Sequence, residues 1–206
     1  MSPKVSREHL LQRRADIMQA AEKVFIENGY ERTTMKHIMD EAQVSRGGLY
    51  QYFSNKEDLF QAILEEGLEE EAADSIQLLE GREGQHWELL LSTLFGESMK
   101  PDDQMDPLAP SKLEYFITGR NDERRREYGE KRYKIGVNVY AEIIKAGQQS
   151  GEFRSTYDPE LLAQSIITYI DGLALDHAIL PGKVVKLQQQ SELFVDYLKN
   201  ILGVDE

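Results

Sequence analysis

Apolar residues recur at spacings of three and four along almost the whole chain, a pattern that predicts helices and no strands. Leu10, Ile17, Ala21, Val24 and Phe25 line one stripe of a first helix, whose other side carries Arg13, Arg14, Glu22 and Lys23. Gly29 suits a left-handed C-terminal cap, after which Tyr30 starts a short connection. Thr33 and Thr34 are N-cap candidates for a second helix reaching about Ala42, with Ile38 and Met39 turned inward. Gln43 and Val44 make a turn, and Ser45 can cap a third helix from Arg46 to about Phe53. That helix opens with Gly47 and Gly48, each about 1 kcal/mol poorer than alanine in a helix, so something other than propensity holds them there. Ser54 is the expected N-cap of a fourth helix, Lys56 to about Leu79, with Glu57 and Asp58 in its first turn where the helix dipole favours acids. Leu59, Phe60, Ile63 and Leu64 form its apolar side.

Further along, Trp87, Leu90, Leu91, Leu94 and Phe95 form another amphipathic stretch that ends near Met99, and Pro101 to Pro110 reads as a loop. A short helix, Lys112 to Thr118, precedes a long one from about Asp122 to Gln149, which Gly151 ends. Asp158 followed by Pro159 is a cap with proline at the first helical position, opening an apolar helix to about Leu180. Pro181 and Gly182 end it, and a last helix is expected from about Val184 to Leu202. The pattern describes an all-α protein of about nine helices: a three-helix N-terminal helix-turn-helix domain over residues 1–55, and a C-terminal helical bundle over 56–206.

Composition narrows the chemistry. The 206 residues carry a net charge of −13, which excludes a uniformly basic nucleic-acid clamp. With no cysteine there is no disulfide, thiol nucleophile or Cys-based metal site. Residues 1–14 lack the apolar run of a signal peptide, and no stretch nears the roughly 18 apolar residues of a membrane span, so a soluble, cytoplasmic protein is expected. The charge is uneven. Residues 1–60 hold nine basic side chains and nine acidic ones, leaving the whole excess of acid to the remainder. A neutral first quarter on an acidic body is consistent with a local phosphate-contact surface.

The segment from Thr34 to Leu59, TMKHIMDEAQVSRGGLYQYFSNKEDL, closely resembles the signature of the TetR family of bacterial transcriptional regulators. The resemblance includes Gly29-Tyr30, Thr33-Thr34, the Val-Ser turn, the Gly-Leu-Tyr-x-Tyr-Phe reading helix and the Asn-Lys-Glu-x-Leu start of the fourth helix, about 50 contiguous residues in all. It implies a dimeric DNA-binding regulator, most often a repressor, released from a near-palindromic operator by a small-molecule effector. The residues support it physically. Gly47 and Gly48 let the backbone approach a duplex closely. Arg46 can donate two bonds to guanine or pair with a phosphate, and Gln51 can pair with adenine. Leu49 and Phe53, one turn apart, are expected to pack inward against Ile38, Val24 and Phe25. The resemblance also places Tyr50 and Tyr52 toward the DNA, and Lys36 and Lys56 at positions that touch bases or phosphates. Thr34 and Ser45 combine capping with possible phosphate bonds. The expected DNA-binding set is thus Thr34, Lys36, Ser45, Arg46, Gly47, Gly48, Tyr50, Gln51, Tyr52 and Lys56. His9, His37, His86 and His177 have no partner at ligand spacing and read as surface imidazoles.

The resemblance assigns the region after about Ser75 to ligand binding and dimerisation. Two apolar helices support a two-fold dimer interface through Leu161, Leu162, Ile166, Tyr169, Ile170, Leu173 and Leu175 on one, and Leu187, Phe194, Val195, Leu198, Ile201 and Leu202 on the other. An intrasubunit core would need most of the same residues. Trp87, Phe95, Tyr115, Phe116, Tyr140 and Tyr169 supply aromatic faces for a pocket, as does Tyr133, and Glu114 or Asp171, if buried there, would pair with a cationic ligand. No cofactor or metal is expected. Two other readings compete. Asp102-Asp103-Gln104-Met105-Asp106 fits the DDxxD motif of helical isoprenoid synthases, but Pro101, Pro107 and Pro110 favour a solvated loop, no second acidic motif appears, and no enzyme is expected. A helical interaction protein without DNA binding would be expected to lose Arg46, Tyr50, Tyr52 or Lys56, and all are present.

Overall fold

The computed structural model describes residues 7–79 and 84–204, without the side chains of 69–76; Lys4, counted in the charge above, lies outside the described residues. The described part is all α-helical, with ten helices and no strand. It divides into two compact units, Met1–Leu68 with Pro107–Asn121, and Glu69–Asp106 with Asp122–Glu206.

The first unit contains α1 (Arg7–Asn28), α2 (Met35–Ala42), α3 (Arg46–Tyr50), the first half of α4 (Lys56–Leu79) and α6 (Ala109–Thr118). Gly29 takes the left-handed conformation (φ 79°) that ends α1, its N–H on the Phe25 carbonyl. Thr34 caps α2, accepting the His37 N–H, while the hydroxyl of buried Thr33 donates back to the Gly29 carbonyl at 2.7 Å. Gln43, at φ 52°, closes α2. The α3 helix is shorter than the sequence predicts. It ends at Tyr50 and continues as a turn in which the Phe53 N–H still bonds the Leu49 carbonyl, so Phe53 is buried as expected. The cap of α4 is Asn55 rather than Ser54: its Oδ1 accepts the Asp58 N–H at 2.8 Å and its Nδ2 donates to the Asp58 carboxylate. Ile17, Ala21, Phe25, Ile38, Leu49, Leu59 and Phe60 are buried here. Removing these apolar surfaces from water, at about 25 cal/mol per Å², is what holds helices as short as α2 and α3 in place.

The second unit contains α5 (His86–Phe95), a 3-10 turn (Gly96–Ser98), α7 (Glu123–Ser150), α8 (Pro159–Ile179), α9 (Gly182–Val185) and α10 (Leu187–Leu202). Asp122 and Asp158 cap α7 and α8 through the N–H groups of Arg125 and Leu161. Lys186, at φ 52°, breaks the expected last helix in two, which accounts for a tenth helix where the sequence suggested about nine. Leu89, Leu90, Tyr140, Ile143, Ile144, Phe153, Leu162, Ile166, Phe194 and Leu198 form the core. Gly147 is required by packing, because a Cβ there would overlap the Phe153 ring.

One sequence expectation fails in this unit and another holds. His86 is not a surface imidazole: it is 2% exposed, with Nδ1 2.8 Å from the Glu152 carboxylate. That carboxylate also accepts the backbone N–H groups of His86 and Trp87, capping α5 from a loop 66 residues away. The Asp102–Asp106 run lies in a loop, as its flanking prolines predict, and not on a helix. Asp102 closes a turn onto the Gln104 N–H, and Asp103 accepts the Gln188 N–H at the start of α10. Among the described residues no helix is long and apolar enough to cross a membrane, and no three metal-binding side chains cluster.

Candidate nucleic-acid interface

The buried side of α3 is Leu49, fully covered by the first unit's core. Positions 46, 47, 50 and 51 fall at i, i+1, i+4 and i+5 on the other side, and Arg46, Gly47, Tyr50 and Gln51 are all exposed. Tyr50, a large ring left 42% accessible, presents itself outward from a helix that has a well-filled core behind it. The Arg46 guanidinium lies over the Tyr50 ring, 5.4 Å from its centroid. Arginine held on an aromatic face keeps its in-plane N–H groups available to an oxygen acceptor.

Gly47 sharpens the reading. A Cβ built there meets nothing within 4 Å, and its φ is not in the left-handed region. No packing or backbone requirement within the described chain explains a helix-weakening glycine at an exposed position. Gly48 differs, since its Cβ would rest in ordinary contact with Ser45 Oγ at 3.4 Å.

Ser45 and Thr34 are exposed N-caps, with Ser45 Oγ accepting the Gly48 N–H at 3.2 Å, and Lys36 is exposed in the first turn of α2. Tyr52 is half-buried. Lys56 stands apart from this exposed group. Its ammonium donates to the carbonyls of Tyr30 at 2.7 Å and Glu31 at 3.2 Å and lies 4.3 Å from the Tyr30 ring centroid. It ties the start of α4 to the end of α1, a fastening role that spacing along the chain does not reveal. Elsewhere on this unit, a groove of about 650 Å³ between α1 and α2 is lined by Asp16, Glu22, Glu27 and Glu41, with Lys23 as its one cation. Such a face repels a polyanion.

The aromatic residues expected to line a ligand pocket are split by the structure. Tyr115 is fully buried in the first unit, its ring 5.1 Å from Tyr30 and 5.2 Å from Phe60, with Phe116 beside it. It is a core residue, for the simple reason that α6 packs on α1. Glu114 likewise lies in the first unit, where its carboxylate accepts the Glu31 N–H. In the second unit, Tyr140 is buried, Tyr169 stacks on Phe194 at 3.8 Å and donates to the Gln190 carbonyl, and Trp87 and Phe95 are half-buried. Asp171 is exposed on α8 and not buried in a pocket; partial desolvation raises its carboxyl and nearby Arg132 pulls it partly back.

These features define a helix-turn-helix DNA-binding protein, with a reading helix set on a small helical core and a larger helical unit beyond it in sequence. Comparison with known proteins makes the class specific. Residues 17–63 match the model of the bacterial regulatory proteins of the TetR family, and residues 96–188 match the tetracyclin repressor-like C-terminal domain. The chain belongs to the TetR family of transcriptional regulators. It is 35% identical to the HTH-type transcriptional regulator YfiR of Bacillus subtilis over 100% of both chains. It is 28% identical to the HTH-type transcriptional repressor Rv1474c of Mycobacterium tuberculosis, over 83% of this chain and 85% of that one. The solved SmeT–triclosan complex shares the fold with a TM-score of 0.71 at 19% identity, covering 92% of this chain and 90% of that one.

Proposed function

We propose that the chain is an effector-responsive repressor that binds a near-palindromic operator as a homodimer, reading each half-site with Arg46, Gly47, Tyr50 and Gln51. The observation that carries this is Gly47, exposed on the outer face of α3 with nothing in the described chain to require it. Thr34, Lys36 and Ser45 supply flanking phosphate contacts, and Gly48 and Tyr52 complete the approach surface.

Dimerisation through α8 and α10 is supported by how the structure sorts the apolar residues of those helices. Leu162, Ile166, Leu173, Leu187, Phe194, Leu198 and Leu202 are buried within the subunit. Leu161, Leu175 and Ile179 remain exposed along one stripe of α8, and Leu193 and Tyr197 one turn apart on α10, with Leu193 at 70%. Gly172 lies on the same α8 stripe with open space at its Cβ, which allows another helix to come close.

The effector is a small molecule with an aromatic or apolar body held in the second unit, where Trp87 and Phe95 are half-buried. SmeT, of the same fold, has been solved as a complex with triclosan. The route from effector to operator follows chain connectivity. The chain leaves the first unit after Leu68, re-enters it at Pro107 to form α6 and leaves again after Asn121, so both ends of α6 are joined to the second unit.

A mobility-shift assay on the DNA directly upstream of the protein's own coding sequence tests the reading. It requires a specific, salt-sensitive band that Tyr50→Ala abolishes. A band that Tyr50→Ala leaves untouched, or none at all, refutes it.

A further inference from the structure

Arg14 is not on the polar side of α1 where the sequence pattern puts it: it is half-buried and continues the apolar stripe, one turn before buried Ile17 and Met18. The stripe therefore continues to a cation at the edge of the core, a position at which an apolar residue would be expected. Its guanidinium sits over the ring of Phe53, 5.3 Å from the centroid. Phe53 closes the turn that follows the reading helix, three residues after Tyr50. Arg14 is half-buried, and among the described residues it has no hydrogen bond and no carboxylate partner.

That last fact is unusual in a chain with 37 acidic residues and 24 basic ones. A partly desolvated cation gains from pairing, and neighbouring acids are plentiful: on the same helix, Lys23 pairs with Glu41 at 2.6 Å. Arg14 and Arg46 both rest on aromatic faces instead, at the two ends of the segment from Arg46 to Phe53. A guanidinium seated on a ring is held in place with little loss of donor capacity, because the ring takes its face and the N–H groups point outward in its plane. The fitting acceptor for such a group is an external oxyanion, and a planar fork matches phosphate well.

We infer that Arg14 is a DNA phosphate contact, positioned by Phe53, which extends the duplex-binding surface from α2 and α3 onto α1. This rests on the operator reading above. The contact fixes the register of the reading helix on the backbone and carries no base specificity of its own. Because Phe53 belongs to the reading-helix turn, one ring ties the orientation of α3 to the place where α1 grips the backbone.

The test measures affinity as a function of salt for wild type, Arg14→Met, Arg14→Lys and Lys23→Met, using the upstream duplex and an unrelated duplex of equal length, with thermal unfolding of each variant. Each phosphate contact contributes about 0.9 to the slope of log K against log salt. Arg14→Met keeps apolar contact with Phe53 and is expected to lower the slope by about 1 on both duplexes. It should also weaken operator binding by about tenfold near physiological salt, with the melting temperature unchanged. Arg14→Lys restores the slope, and Lys23→Met leaves it at the wild-type value. A wild-type slope in Arg14→Met, or a loss of binding that tracks a loss of folding and is not restored by Arg14→Lys, overturns the inference while wild-type binding still upholds the operator reading. Failure of wild type to bind the upstream duplex specifically overturns both.

Discussion

Glu114 of α6 accepts the backbone N–H of Glu31 at 3.0 Å, joining residues 83 positions apart. Gly29 makes room for it: a Cβ at that position would stand 2.9 Å from both carboxylate oxygens. Ser111 adds a 2.7 Å bond to the Phe25 carbonyl, Thr118 bonds the Glu31 carboxylate, and Tyr115 fills the core between them. The end of α1, which leads directly into the helix-turn-helix, is thus held by a helix drawn from the middle of the chain.

Gly29→Ala should therefore destabilise the protein twice over, by placing a side chain at φ 79° and by crowding Glu114. The expected loss is about 1–3 kcal/mol by chemical denaturation. Adding Glu114→Ala relieves the crowding and leaves the backbone strain, so the two changes should be clearly non-additive. Simple additivity would mean that Gly29 and Glu114 act independently.

Gly47→Ala should separate folding from function. Its Cβ meets nothing in the chain, and alanine favours the helix over glycine by up to about 1 kcal/mol. Thermal unfolding is expected to be unchanged or slightly higher, while affinity for the upstream duplex falls by tenfold or more. Retained affinity would remove the chief support for the operator reading.

The cap on α5 predicts a pH dependence. Burial raises the Glu152 carboxyl, but the backbone N–H groups of His86 and Trp87 and the His86 ring outweigh it and hold the group below its ordinary value of 4.5. A carboxyl whose native pKa lies below its unfolded value adds stability that is full above the unfolded value and is lost as pH falls through the native one. Glu152→Gln should accordingly melt below wild type at pH 7, and the gap should close as the pH drops beneath 4.5. The two melting curves followed across that range decide it; a gap that persists at low pH would show that the carboxylate charge is not what matters.

In the second unit, Gly147→Ala drives a methyl group into the Phe153 ring. Overpacking of this kind costs about 1–3 kcal/mol. Urea midpoints should show that loss, and Gly147→Ala combined with Phe153→Leu should recover part of it. If Gly147→Ala has no effect, the loop carrying Phe153 is more yielding than its buried ring and its 2.9 Å backbone bond to Gly147 imply.

How far the sequence reaches is visible in particular residues. Helical spacing placed Ile17, Ala21, Phe25 and Leu49 in the core, and local chemistry marked the caps Thr34, Ser45 and Asp158, because both depend on neighbours a few positions away. The exposed face of Arg46, Gly47, Tyr50 and Gln51 was legible for the same reason. Contacts across long separations were not. Nothing near Tyr115 in sequence tells that its ring meets Tyr30 and Phe60, so an aromatic suited to a ligand pocket proved to be core. Asn55, Lys56, Glu114, Arg14, His86 and Asp103 each took a role from a partner that only folding supplies or selects. Most of the helices, the family and the exposed face of α3 follow from the chain alone, because they are written in short-range periodicity and a contiguous motif. Which polar groups serve the protein's own joints and which stay exposed is settled only by folding, since a side chain is spoken for when a distant backbone arrives beside it.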